Sequence, residues 1–469
     1  MKRKIFCFSM VFFLALAAYA EGKAKYVFYF IGDGMGVNQV NLTETYLAAI
    51  QGRIGVEPLL FSGFPFTGLV TTYSATNGVT DSAAGGTALA TGEKTRNGAV
   101  GMKADAATAV PSIAQRAKAA GAAVGVATSV SVDHATPASF YAHVPNRSMY
   151  YEIGKDLVRA GFDFYAGSDF LKPQAGKDTK EPNLYEQCRR AGYVIARGYE
   201  DYSQQAAHAK QGLIFLQNKD AADRSSLPYA INRQTGDLTL TEITQAATDF
   251  LSRRNKDGFF LMVEGGKIDW ACHANDAATV IKEVMDLDQA VRVAYDFYLQ
   301  HPDETLIVIT ADHETGGLAL GCGPYELHTD LLQYQKMSAD RYTQHITHLR
   351  KEAGENFTWD LVRKDLQANW GFWDKVALSE QEEALLKQAF DALKEGMEKG
   401  DSNLYSREDA LSTAARRLLN RKALVGWQSG GHSNGYVPVF AIGVGAEHFV
   451  GKLENTDIPK RIVQAAGWK

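Results

Sequence analysis

Carboxylate and imidazole side chains recur beside the apolar, β-rich runs of this sequence. Six of them follow such a run: Asp33, Glu264, Asp269, His273, Asp312 and His313. The seventh, His432, stands just before the last run. Aspartate and neutral histidine are good Zn²⁺ ligands, and a catalytic zinc keeps one coordination position open. Taken singly, an aspartate after a strand is more often a helix cap, and a single histidine is more often a surface or hydrogen-bonded core residue. Four of them at the same edge of one sheet, Asp269, His273, Asp312 and His313, predict a metal centre.

Spacing supports the same prediction. Asp269 and His273 are four residues apart, so a helix that begins near Asp269 places both on one face. Asp312 and His313 are adjacent and can serve one ion only where the backbone turns sharply, as it does at the end of a strand.

A second group of residues predicts a nucleophile. Thr80 to Gly92 reads TDSAAGGTALATG, and its small side chains allow a helix to pack close to a sheet. Asp81 or Ser82 would begin that helix, where backbone N–H groups and the helix dipole favour an anion and a developing alkoxide. A simple aspartate N-cap on a tightly packed helix is the alternative. The segment is no nucleotide-binding P-loop, because Thr91-Gly92-Glu93-Lys94-Thr95 lacks the adjacent Gly-Lys and the correctly spaced upstream glycine.

Arg147 follows the run at Ala123–Ala127 and the tetrapeptide His134-Ala135-Thr136-Pro137. A guanidinium presents a planar fork of donors that matches two phosphate oxygens. A lone arginine is usually a surface charge, so this interpretation depends on the neighbouring residues.

Strands must position these groups. Along the sequence, apolar runs that predict strands alternate with helical stretches. The predicted strands are Tyr26–Ile31, Ala123–Ala127, Phe259–Val263, Thr305–Thr310 and Val437–Val444, with a crossover helix from Asp276 to Leu299. This pattern predicts an α/β fold with a mostly parallel central sheet sandwiched by helices. Ligands of such sheets bind at the carboxyl ends of the strands. Residues from about 323 to 425 show no convincing strand and predict an inserted helical lid or crown.

Composition narrows the class of protein. The chain has 469 residues, 45% of them hydrophobic, and a net charge of −5. Residues 1–20 combine Lys2, Arg3 and Lys4 with an apolar run and Ala18-Tyr19-Ala20, which is typical of a signal peptide. Their removal takes away three positive charges and leaves −8, which argues against a specific nucleic-acid partner.

We therefore expect residues 21–469 to form one exported protein, periplasmic or secreted, without a membrane span. Its remaining cysteines are Cys188, Cys272 and Cys322. Three cysteines allow one disulfide at most, and the sequence does not decide whether any two of them pair.

At this point the sequence resembles the alkaline phosphatases. The matching segments occur in the family's order between residues 26 and 445: Gly32-Asp33-Gly34-Met35-Gly36, Asp81-Ser82-Ala83-Ala84, Ala135-Thr136-Pro137 with Arg147, Val263-Glu264-Gly265-Gly266 through Asp269 and His273, Thr310-Ala311-Asp312-His313-Glu314, and His432. The resemblance implies hydrolysis of phosphate monoesters through a phosphoserine on Ser82, with Arg147 clamping two phosphoryl oxygens.

The resemblance also implies a ligand set for three ions. One zinc would be held by Asp269, His273 and His432, and a second by Asp33, Asp312 and His313. A third ion, usually magnesium, would be bound by Asp33, Thr136 and Glu264. Around that third site His134 and Trp270 stand where one common bacterial pattern has Asp and Lys, so zinc or cobalt could replace magnesium. We further expect a homodimer.

Two other interpretations compete with this one. A phosphodiesterase or sulfatase of the same metalloenzyme superfamily would share the metal ligands, but a clamp on two non-bridging oxygens suits a dianionic monoester. An exported solute-binding protein would share the α/β form, yet it has no use for a serine facing two clusters of Asp and His.

Overall fold

The central sheet is built on strands that are apolar along their whole length. The computed structural model describes residues 23–176, 180–221, 223–255, 257–396, 400–402 and 405–469, so the predicted signal peptide lies outside the described residues. The first strand, YVFYFIG, is buried at every position. A strand covered on both faces needs such a continuous hydrophobic run rather than an alternating one.

The described residues form fourteen strands. They are β1 Tyr26–Gly32, β2 Phe66–Thr71, β3 Ala123–Thr128, β4 Phe164–Gly167, β5 Tyr193–Arg197, β6 Gly212–Leu216, β7 Phe259–Gly265, β8 Thr305–Thr310, β9 Glu314–Thr315, β10 Ala319–Leu320, β11 Val425–Gly426, β12 His432–Ser433, β13 Val437–Gly443 and β14 Gly451–Glu454. All five predicted strands are present to within two residues at each end.

The described α-helices number fifteen. They are α1 Val37–Ala49, α2 Ser82–Thr91, α3 Ile113–Ala119, α4 Ala135–Ala138, α5 Tyr150–Ala160, α6 Leu184–Arg190, α7 Gly198–Gln205, α8 Leu240–Arg254, α9 Lys267–His273, α10 Ala277–Gln300, α11 Ala339–Ala353, α12 Trp359–Trp370, α13 Glu380–Lys394, α14 Ala410–Lys422 and α15 Asp457–Ala466. The predicted crossover helix is α10, capped by the Asp276 side chain.

Ten of the described strands form one sheet in the order β14-β2-β13-β8-β1-β7-β3-β4-β6-β5. Nine run in the same direction, and β13 alone is antiparallel to both of its neighbours. Helices α8 and α10 pack together against the sheet, and α2 packs with α3, α4 and α15 as a second group. The predicted fold class, a mostly parallel sheet flanked by helices, is confirmed.

The reversal of β13 matters for the site. Because Phe440 pairs with Ile309 and Gly443 with Leu306, the start of β13 lies at the carboxyl end of β8. His432 therefore reaches the edge at which Asp312 and His313 leave β8, although it precedes its strand rather than following it. The short pairing of His432 with Thr315 fixes that approach.

The chain between β10 and β11 has a hydrophobic core of its own. Buried side chains of α11 to α14, among them Tyr342, Trp370, Leu386 and Leu411, pack there with residues of α1 and α10. The described residues from 323 to 424 contain helices and no strand. Whether this helical segment acts as a lid stays a prediction.

Candidate active site

The predicted ligands converge at the carboxyl edge of the sheet. Ligand atoms of three sets of residues lie within 4.8 Å of one another: Asp269, His273 and His432; Asp33, Asp269 and His313; and Asp33, His134 and Glu264. Asp269 belongs to two of the sets and Asp33 to two. The structure thus brings the predicted residues of three strand ends, α9 and the β13 connection into one centre.

Asp312 joins the same centre through His313. Its Oδ2 lies 3.3 Å from His313 Nε2, and Asp33 Oδ1 lies 3.2 Å from that nitrogen. The backbone bends at Asp312, just after β8, as expected. The Gly34 N–H donates to Asp312 Oδ1 at 3.3 Å. A Cβ at Gly34, where φ is +74°, would lie 2.8 Å from Asp269 Cα, so only glycine allows this loop to approach α9.

Helix α9 begins at Lys267 and carries both predicted ligands. Asp269 Oδ2 lies 3.4 Å from His273 Nε2, and Asp269 Oδ1 lies 3.7 Å from His432 Nε2. The Nε2 atoms of His273 and His432 are 3.1 Å apart. Two imidazole nitrogens and a carboxylate therefore face one small volume.

Hydrogen bonds on the far side of each ring orient the three histidines. His273 Nδ1 lies 2.6 Å from the Gly430 carbonyl oxygen and His432 Nδ1 lies 2.8 Å from that of Thr80, so both Nδ1–H groups donate. His313 Nδ1 lies 3.2 Å from the Thr315 hydroxyl, which itself donates to Asp269 Oδ1. Each ring thereby keeps its Nε2 lone pair for an ion.

Four carboxylates of the centre are buried close together. Asp33, Glu264, Asp269 and Asp312 are fully buried, and each has one oxygen without a hydrogen-bond partner among the described residues. Burial, followed by the neighbouring carboxylates, raises the pKa of Asp33 and of Asp312, and burial raises the pKa of Glu264 to about 7. Buried charges are normally paired or coordinate a metal. Orphaned oxygens beside free Nε2 atoms thus fit divalent ions.

Asp269 behaves differently from the other three acids. Burial alone would raise its pKa, but His273 and His432 beside it hold the pKa below its ordinary value. His313, by contrast, has its pKa lowered by burial and by the nearby His432, which keeps it neutral. Neutral imidazole and ionised carboxylate are the forms that bind metal.

Ser82 occupies the first turn of α2, as predicted. Asp81 is the N-cap, accepting from the Ala84 N–H at 3.0 Å, and Ser82 Oγ lies 3.2 Å from His313 Nε2. The run of small residues allows this approach: a Cβ on Gly85 would lie 2.8 Å from the Asp312 carbonyl oxygen. The helix therefore presents its positive end and a hydroxyl to the carboxylate centre.

Arg147 also reaches this centre. Its Nη1 lies 3.3 Å from Asp81 Oδ2 and its Nη2 lies 3.4 Å from His134 Nε2. Burial and then the adjacent guanidinium lower the pKa of His134 to about 3, so the imidazole is neutral and accepts from the arginine. The guanidinium is thus held next to the Ser82 helix start.

The third predicted set is assembled as well. Thr136 Oγ1 lies 3.5 Å from Asp33 Oδ2, and Thr128 donates to Glu264. His134 lies within ligand distance of Asp33 and Glu264, and its buried Nδ1 has no hydrogen-bond partner among the described residues. Trp270 contacts His134 edge to face, with ring centroids 6.1 Å apart.

Comparison with known proteins decides the family. A family model described as alkaline phosphatase matches residues 24–166 and 162–468. The chain belongs to the alkaline phosphatase family. Accordingly, it is an enzyme that hydrolyses phosphate monoesters.

Individual relatives show the same similarity. The chain is 32% identical to alkaline phosphatase 3 of Bacillus subtilis, with 95% of this chain and 89% of the relative covered. Among solved structures, a cold-active alkaline phosphatase from Shewanella is 30% identical with a TM-score of 0.76, covering 94% of this chain and 99% of that one. The Thermus thermophilus alkaline phosphatase is 28% identical with a TM-score of 0.75, covering 96% and 92%.

Sequence reasoning missed one aromatic contact of this alkaline phosphatase. Tyr405, which comes from the helical segment between β10 and β11, stacks on Trp270 with centroids 4.4 Å apart and planes at 7°. Its ring also lies 5.3 Å from that of His273. No local pattern in the sequence marks Tyr405, because it is separated from its partner by more than a hundred residues.

Cys188, Cys272 and Cys322 are free; the first two are buried and Cys322 is exposed. Across the described residues, no helix combines the length and apolar character needed to cross a membrane.

Proposed function

We propose that this alkaline phosphatase transfers the phosphoryl group to Ser82 and then to water. The observation that supports this is the position of Ser82 Oγ, 3.2 Å from His313 Nε2, at a helix N-terminus beside the carboxylate centre. Ser82 is the first residue of α2, so its hydroxyl lies at the positive end of that helix. Its role is to attack phosphorus and carry the phosphoryl group until water displaces it.

The bound ions are proposed to be two zinc ions and one further divalent ion. Asp269, His273 and His432 would hold one zinc, and Asp33, Asp312 and His313 would hold the other. When bound, zinc supplies Lewis-acid stabilisation of the attacking and leaving oxygens and lowers the pKa of a hydroxyl or water. Arg147 would contribute by binding two non-bridging phosphoryl oxygens.

The third ion is proposed to lie among Asp33, Thr136 and Glu264, with His134 facing it. Magnesium prefers oxygen ligands and retains waters, whereas imidazole suits zinc or cobalt. A solved structure of an Antarctic bacterial alkaline phosphatase, 26% identical to this chain, is a His-to-Asp mutant with Mg bound in its M3 site. This relative supports a link between a histidine and magnesium binding in the family.

We expect His134→Asp to tighten magnesium at this site. The substitution replaces a neutral ring, whose pKa is lowered to about 3, with a carboxylate oxygen that magnesium prefers. Magnesium titration by calorimetry of the wild type and the variant measures the change. His208→Asp, which adds an acid on the exposed turn Ala206–His208, is the control and should leave magnesium affinity unchanged. Equal affinity in the wild type and His134→Asp would show that His134 does not face the ion.

Two further predictions complete the proposal. The acidic mature chain with a predicted signal peptide is proposed to act outside the cytoplasm, in the periplasm or secreted, and to form a homodimer.

Phosphate monoesters are its small-molecule partners. Diesterase or sulfatase activity is the alternative that the same metal ligands permit, and the position of Arg147 favours the monoesterase.

Metal analysis combined with activity on two substrates tests the whole proposal. The purified enzyme is expected to contain zinc, to hydrolyse 4-nitrophenyl phosphate, and to act much more weakly on bis(4-nitrophenyl) phosphate. Chelation should abolish activity, and added zinc should restore it. Preferential hydrolysis of the diester, or full activity after the metal has been removed, would contradict the proposal.

A further inference from the structure

A cavity of about 530 Å³ opens beside one of the proposed zinc ligands. His273 lines it, together with Gly430, whose carbonyl oxygen orients that histidine. Trp427 also contributes to the wall, and helix α14 contributes three arginines: Arg416, Arg417 and Arg421. The volume is typical of small-molecule sites.

Hydrogen bonds attach α14 to the end of α9. Asn420 donates to the Asn275 carbonyl oxygen at 2.7 Å, and Arg416 Nη1 lies 3.5 Å from the same oxygen. Asn275 stands two residues after His273, so the arginine-bearing helix lies directly against the segment that carries a proposed metal ligand. The cavity therefore has a fixed wall next to the metal centre.

Arg416 belongs to the wall itself. Its side chain is 3% exposed and pairs with Glu408 at 3.0 Å and with Asp401 at 2.7 Å. A buried arginine with two carboxylate partners is already neutralised and holds the helix in place. It is therefore not available to a ligand.

Arg417 and Arg421 are available. They lie one turn apart on α14 and thus project on the same side. Arg417 is 61% exposed and pairs with Asp401, which is itself 40% exposed, and such surface pairs are weak. Arg421 is exposed and forms no ion pair with any described residue. Among the described residues that line the cavity, Asp401 is the only acid, so this part of the lining carries net positive charge.

We propose that this cavity binds a second phosphate group on the alcohol portion of the substrate, with Arg417 and Arg421 as its ligands. This inference rests on the proposed function: Ser82 Oγ lies 3.2 Å from His313 Nε2, so an in-line displacement at phosphorus places the leaving alcohol on the opposite side, towards His273 and His432. The enzyme would then favour bisphosphates. Water displaces the alcohol overall: the scissile P–O bond breaks, inorganic phosphate gains the water oxygen, and the alcohol leaves with a proton and its remaining phosphate.

The test compares 1,4-butanediol bisphosphate and 1,6-hexanediol bisphosphate with butyl phosphate, which has no second anion. For the double variant Arg417→Gln and Arg421→Gln, we expect the ratio of kcat/KM for the better bisphosphate to that for butyl phosphate to fall about tenfold. Arg421→Gln alone, which breaks no ion pair, should lower the ratio by a smaller factor. Arg190→Gln removes an arginine that is 68% exposed on α6 and should leave the ratio unchanged.

Each outcome decides the inference. A fall confined to the bisphosphates supports the second phosphate site. An unchanged ratio in the double variant, or equal losses on bisphosphate and butyl phosphate, would overturn it while leaving the phosphatase function intact. Failure of the wild type to hydrolyse either kind of substrate would instead contradict the proposed function.

Discussion

Ser82→Ala is expected to lower turnover of a phosphate monoester by roughly three to six orders of magnitude, the scale seen when a catalytic nucleophile is removed. The hydroxyl is fully buried at the first position of α2, and it lies 3.2 Å from His313 Nε2. Alanine is compatible with a helix start and leaves the carboxylate and imidazole ligands unchanged. The variant should therefore still bind zinc and inorganic phosphate.

A matched serine provides the control. Ser168 follows β4 at the same edge of the sheet, is fully buried, and its Oγ has no hydrogen-bond partner among the described residues. Ser168→Ala should retain most of the turnover. Acid-quenched wild type incubated with labelled substrate should carry the label on Ser82, and a label on any other residue would refute the assignment.

The central strands were predictable because their residues carry a strong local signal. β1, β7 and β8 are continuous apolar runs, and candidate site residues lie at or just after the end of each of these strands. The outer strands gave weaker signals: five of the six residues of β2 are half-buried or exposed and one of them is a glycine, and β4 has only four residues. Short or half-exposed strands bury less apolar surface, so their sequences are less distinctive.

The candidate ligands could be named from the sequence, and the resemblance implied how they group, but local residue patterns alone do not give the distances between them. Asp269 lies within ligand distance of both His273 and His313, a proximity that depends on the close approach of the Gly34 loop to α9. The place of His432 depends on the antiparallel direction of β13, and that of Tyr405 on the packing of a helical segment. Such contacts arise from tertiary structure, which local patterns do not encode.

Arg147→Ala is expected to cost about 1.5–3 kcal/mol of transition-state stabilisation on a monoester, the range for hydrogen bonds to charged groups. That corresponds to a loss of roughly 10- to 150-fold in kcat/KM. The guanidinium is held by Asp81 at 3.3 Å and by His134 at 3.4 Å, beside the start of the Ser82 helix. A monoester leaves two charged oxygens free for this fork, whereas a diester leaves one charge spread over both.

The loss should therefore fall on the monoester, and residual diesterase activity should hardly change. Arg197→Ala is the control, because Arg197 is 20% exposed and pairs with Asp169 at 2.9 Å outside the site. Losing that half-buried pair should lower stability without changing the ratio of monoester to diester hydrolysis. Steady-state kinetics on 4-nitrophenyl phosphate and its diester decide between the two roles. Equal losses on both substrates in Arg147→Ala would mean that the arginine positions Asp81 and His134 and does not select the dianion.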